Sequence, residues 1–108
     1  MYNRVEIANE FAEAIKSKYI IEIILFGSVA RGDDTDESDI DILIVSNHRE
    51  EIEDKIDDEI AWFMHDKHEL ISAHIMSEKR FNTTQDFSFL SNILSEGVKI
   101  GWNRSIFW

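Results

Sequence analysis

The sequence predicts an α/β or α+β domain, a sheet with helices on one or both of its faces. Three observations carry this. Apolar residues recur at helical steps in two long segments, and short runs rich in β-branched residues stand between them. Proline is absent and only four glycines occur, so no linker, low-complexity tract or repeat divides the 108 residues. A single domain over residues 1–108 is expected, large enough to bury roughly 65% of its unfolded surface.

Each element has its own reason. Over residues 3–17, Val5, Ala8, Phe11, Ala12 and Ile15 form one helical stripe with charged residues opposite. Residues 19–26, YIIEIILF, are almost continuously apolar, which suits a central strand covered on both faces. Gly27 and Ser28 end it, a short helical turn over VAR follows, and GDDTDES is a loop. Residues 39–45, DIDILIV, form a second strand that Ser46-Asn47 break. From 48 to 66, Ile52, Ile56, Ile60 and Phe63 mark an amphipathic helix. Residues 69–76 read as a third strand, and Ser77 caps a short helix over EKRF. A last helix over Asp86–Glu96 stops at Gly97, and the tail from Val98 offers an edge strand.

Composition excludes several functions. Twenty-two acidic against 11 basic residues leave a net charge of −11, which repels nucleic acid, and no Lys/Arg stripe offsets it. No apolar run approaches the roughly 20 residues of a membrane span, and the N-terminus does not read as a signal peptide. Cysteine is absent, removing disulfides and thiolate metal sites. A cytoplasmic protein is expected. The acidic runs Asp33, Asp34, Asp36, Glu37 and Glu50, Glu51, Glu53, Asp54 read first as solvated surface.

The chemistry concentrates in Phe26–Val45, FGSVARGDDTDESDIDILIV. Asp39 and Asp41 stand at i and i+2, so a strand sends both to one face about 6.6 Å apart, with Ile40 and Ile42 turned to the core. Two carboxylates on one face can bind Mg²⁺, a hard cation that takes oxygen ligands and phosphates. The plainer reading is a pair of exposed acids at a strand's start. Upstream, Gly27 permits positive φ and close approach of a phosphate, helix-opening N–H groups attract anions, and the Ser28 hydroxyl adds a donor. Arg31 suits a phosphate oxygen or an acid of the loop. GSVARG meets the G-x4-G part of a P-loop, but Asp33-Asp34 replace the required Lys and Ser/Thr, so that reading fails.

Together, Gly27, Ser28, Arg31, Gly32, Ser38, Asp39 and Asp41 make the chain resemble the nucleotidyltransferase superfamily that includes DNA polymerase β, and within it the small stand-alone minimal nucleotidyltransferases. The late segment SNILSEGVKI resembles the family's closing segment. The resemblance implies a small mixed sheet flanked by helices. It implies that Gly27, Ser28, Arg31 and Ser38 serve a nucleoside triphosphate. It also implies that Asp39 and Asp41 hold two Mg²⁺ ions, with Mn²⁺ a possible substitute. Small members often pair with a separate all-helical protein of HEPN type as toxin–antitoxin couples.

One position departs from the family. A third carboxylate usually stands on a following strand, and His74 occupies its expected place. A neutral imidazole can accept a proton or ligate a metal, though it suits Mg²⁺ poorly. Glu69 in a shifted register, or a partner's acid, are the other sources; His74 as a plain strand residue is the bland alternative. His48, His65 and His68 fall at helix ends or turns; His65 and His68 are helix-spaced, but no third ligand at suitable spacing for zinc is evident. Trp102, Phe107 and Trp108 either pack back or meet another chain, and Trp62, Phe63 and Met64 offer a second interface. A homo-oligomer is compatible with both.

Two functions stand at this point. The first moves AMP, or another nucleoside monophosphate, from a triphosphate to a hydroxyl such as one on a partner protein. The second is a catalytically weakened module that binds nucleotide or partner and acts by occlusion.

Overall fold

The computed structural model describes residues 3–83 and 96–100. The helix expected over Asp86–Glu96, Glu96 apart, and the tail aromatics lie outside the described residues. In order, the elements are α1 (Arg4–Ile15), β1 (Ile20–Phe26), α2 (Gly27–Arg31), β2 (Ile40–Ser46), α3 (Arg49–Lys67), β3 (Ile71–Met76), α4 (Glu78–Thr83) and β4 (Val98–Lys99). The sheet is mixed, in the order β3-β2-β1-β4. β1 runs antiparallel to β2 and β4, while β2 and β3 are parallel. A parallel pair needs a crossover, and α3 provides it. The sheet flanked by helices is the architecture expected.

Alternation along the strands decides the two faces. One face carries Ile23, Leu25, Ile40, Ile42, Ile44 and Ile71 into the main core with Ile7, Phe11 and Ile15 of α1 and Ile52, Ile56 and Phe63 of α3. Phe11 meets Phe63 edge-on at 5.6 Å. Full burial of each such side chain contributes about 1.5–3 kcal/mol. The opposite face is smaller: Ile24, Leu43 and Val45, with Phe26, Met76 and Phe81 of α4 against them. β2 is therefore covered on both sides along most of its length, and Asp41 alone interrupts its buried pattern.

Local signals explain the ends. The Asn3 side chain accepts from the N–H groups of Val5 and Glu6 and caps α1. Val5 stays 41% exposed, and Ile7 enters the core instead. Val5 lies about 100° round the helix from the midpoint of Phe11 and Ile15, against about 60° for Ile7. Ser77 accepts from the Arg80 N–H and caps α4, as its position predicts. β4 confirms the edge strand at Val98–Lys99 and delivers Ile100 to the core. Of the α3 trio, Phe63 is buried while Trp62 and Met64 are exposed. No helix among the described residues is long and apolar enough to cross a membrane.

α3 ends on His68 in the left-handed region, at φ 58° and ψ 34°, with its N–H donating to the Met64 carbonyl. A side chain there costs roughly 1–2 kcal/mol, which glycine avoids at some loss of chain entropy. His68→Gly is expected to raise the melting temperature by about 2–5 °C. A thermal scan showing no rise would mean that the imidazole makes a compensating contact.

Candidate active site

β1 ends at Phe26 and the chain turns at once into α2, while β2 enters the sheet beside it. The antiparallel register sets Phe26 opposite Asp41. Gly27 follows with φ 77°, as a close turn requires. A Cβ placed on Gly27 would overlap the Asp41 carboxylate oxygen Oδ2, and would lie 3.2 Å from its Cγ and 3.3 Å from its Cβ. The bend and the acid are thus in contact, with no room for a side chain between them. Ser28 stands half-buried in the first turn of α2, where backbone N–H groups have no acceptor within the helix.

Asp39, exposed, immediately precedes β2. Partial burial, and then the neighbouring Asp39 charge, push the Asp41 carboxyl above the ordinary aspartate range. His74 and Arg31 pull it the other way, so all four groups lie within electrostatic reach. The parallel register pairs Asp41 with Ser72 and Leu43 with His74. Asp41, Ser72 and His74 therefore share the face turned away from α1 and α3, as the alternation around His74 predicts. The imidazole stands 6.0 Å from the Phe26 ring, centre to centre.

The remaining expected residues are engaged within the chain. Arg31 pairs with Asp33 at 3.2 Å and with Glu96 at 3.1 Å, taking the loop-acid partner that its position allowed. Those hydrogen bonds, Asp33 first, hold its guanidinium more firmly charged than usual. The Ser38 hydroxyl accepts from the Thr35 N–H at 2.9 Å and braces the loop. Glu69 lies just before β3 and is paired with Arg4 at 3.0 Å. Glu96 and Arg4 were not legible from spacing. A basic residue in the first turn of α1, against the helix dipole, is the one local sign that Arg4 serves something else.

Among the described residues no three or more His, Cys, Asp and Glu side chains group closely enough to hold a metal ion. Asp39 and Asp41 remain as two hard oxygen donors. Such a pair fits a cation that completes its shell with phosphate and water, as Mg²⁺ does, and does not fit one caged by protein alone.

Comparison with known proteins now decides the family. The family model described as a nucleotidyltransferase domain matches residues 8–100. The chain belongs to that family. A relative from Methanocaldococcus jannaschii, named a putative protein adenylyltransferase, is 44% identical over 98 residues, covering 88% of this chain and 95% of its own. A crystal structure of a putative nucleotidyltransferase from Sulfolobus solfataricus is 24% identical, covering 90% of this chain and 75% of that one, with a TM-score of 0.47. The nucleotidyltransferase match spans both halves of the site, the turn at Gly27-Ser28 and the acids at Asp39 and Asp41.

Proposed function

We propose that the chain moves AMP from ATP to a hydroxyl group on a protein. The contact between Gly27 and the Asp41 carboxylate carries this reading, because it brings an anion-accepting bend beside an acid pair. Two further facts support it: the name of the 44% identical relative, and a net charge of −11 that disfavours nucleic acid as acceptor. Gly27 and Ser28 take the β- and γ-phosphates through N–H groups and the serine hydroxyl. Arg31 assists by exchanging a carboxylate partner for a phosphate oxygen. Asp39 and Asp41 would hold Mg²⁺, as two ions or with Mn²⁺ in its place, and the metal when bound would supply positive charge to the triphosphate and its leaving pyrophosphate.

In the transfer the acceptor oxygen attacks the α-phosphorus. The bond from that phosphorus to the oxygen bridging to the β-phosphate breaks, and pyrophosphate leaves with the electron pair. The hydroxyl proton passes to the His74 imidazole, which shares a sheet face with Asp41. The acceptor arrives on a separate helical protein, of HEPN type in a toxin–antitoxin pair.

That no third acid groups with Asp39 and Asp41 among the described residues favours a second reading, a module that binds nucleotide or partner and restrains it by occlusion. One experiment separates the two. ATP labelled at the α-phosphorus is incubated with the chain, Mg²⁺ and a candidate helical acceptor protein of HEPN type. Transfer labels that protein from α-labelled but not γ-labelled ATP, and Asp39→Asn lowers the yield at least tenfold. Binding of MgATP without incorporation, together with activity gained in His74→Asp, would establish the second reading instead.

A further inference from the structure

Between the phosphate-facing turn and the acid pair lies a loop of one predominant charge. Residues 33–39 read DDTDESD, five acids in seven positions. Mutual repulsion drives such a segment apart, and its last residue is Asp39. Internal bonds brace only its centre: Ser38 N–H to the Thr35 carbonyl at 3.0 Å, Thr35 N–H to the Ser38 hydroxyl at 2.9 Å, and Glu37 N–H to the Thr35 hydroxyl at 3.3 Å. Its first residue is tied to α2, through the Asp33 N–H to the Ser28 carbonyl at 3.1 Å and Arg31 Nε to Asp33 Oδ2 at 3.2 Å, and the stretch beyond it is anchored to the domain by Arg4. Arg4 Nη1 donates to Asp34 Oδ2 at 3.1 Å and to the Thr35 carbonyl, and Nη2 donates to the Asp36 carbonyl at 3.1 Å. Its Nε meets Glu69 Oε1 at 3.0 Å, just before the strand that pairs with β2.

Resting on the transfer reading above, we infer that Arg4 is a positioning residue for Asp39 and Asp41. One planar guanidinium grips the side chain of Asp34, two successive loop carbonyls and Glu69, a set of contacts that its fixed fork suits and an ammonium cannot reproduce. The side chain is 14% exposed, so water competes weakly for these donors. In the first turn of α1 a positive charge opposes the helix dipole, so helix stability does not account for its presence there. The loop carbonyls it holds lie three and four residues before Asp39. The next anchored point is Ile40, whose N–H donates to the Leu70 carbonyl at 3.0 Å. Arg4 and the sheet thus fix the two ends of the short segment that carries Asp39.

The test is Arg4→Lys, with Asp34→Asn as a second variant that takes the charge out of one contact and keeps the arginine. Arg4→Lys is expected to lower kcat for label transfer about 10²-fold while KM for ATP changes less than threefold, because a displacement near 1 Å at the reacting groups has that consequence. Amide exchange at Ser38 and Asp39, followed in the absence of nucleotide, quickens in the same variant. Asp34→Asn shifts both readouts in the same direction and less far. A variant with wild-type kcat overturns the role of Arg4 alone, as does a kcat loss with loop exchange unchanged. A kcat loss equalled by a general rise in exchange across the sheet also overturns it, since Arg4 would then be merely structural. Wild-type protein that labels no acceptor removes the transfer reading, and the inference with it.

Discussion

Gly27→Ala is expected to lose about 2–4 kcal/mol of stability and to reduce transfer at least 10²-fold. Two separate costs meet at this residue. Its φ of 77° imposes about 1–2 kcal/mol on any residue with a Cβ. The new methyl must also displace Asp41, because the carboxylate oxygen, its Cγ and its Cβ all stand too near for rotation of the tip alone to make room. The smaller unfolded-state entropy of alanine returns only about 0.4–1 kcal/mol. For a domain of this size the melting temperature should fall by roughly 10 °C.

Gly32→Ala serves as the control. Gly32 has φ 85°, in the same region, but a Cβ there meets nothing within 4 Å. It bears the backbone cost alone and should melt a few degrees lower with transfer within a few-fold of wild type. Thermal scans and label transfer on both variants separate backbone strain from contact with the acid. Equal loss of transfer in the two would show that the abutment of Gly27 on Asp41 is not what matters.

What the sequence made legible was whatever depends on neighbours a few residues away. Period-2 alternation placed Asp41 and His74 on the faces where the sheet carries them, and β-branched runs located β1 and β2 to within a residue or two. Ser77 announced its cap. Helix edges were less clear, because a hydrophobic side chain at the margin of a stripe, such as Val5, is buried or not according to what lies across from it. The contact between Gly27 and Asp41 arises from the Phe26–Asp41 register, and spacing alone permits that register without fixing it. The pairs Arg31–Glu96 and Arg4–Asp34 join residues 65 and 30 positions apart, and no local pattern encodes them.

Asp41→Asn should part stability from activity. Burial first, and then the charge of Asp39, raise the carboxyl above its unfolded value, so the folded state binds this proton more tightly than the unfolded chain does. The sign follows from linkage. Stability present with the acid protonated is lost as pH rises from the unfolded value, near 3.9, through the folded one. At neutral pH ionised Asp41 therefore destabilises the domain, and asparagine, neutral at every pH, relieves that. The variant is expected to melt higher than wild type at pH 7, a margin that closes as the pH falls toward 4 and below, where wild-type Asp41 is also neutral. Transfer should meanwhile fall roughly 10²–10³-fold, the loss typical of removing one preorganised electrostatic group from a site. Mn²⁺ should raise the melting temperature of wild type and leave the variant unmoved, since two carboxylates become one. A variant that melts lower than wild type at pH 7 while keeping its transfer rate would place Asp41 among the structural acids. The raised carboxyl is then a by-product of packing against Gly27, with no part in chemistry.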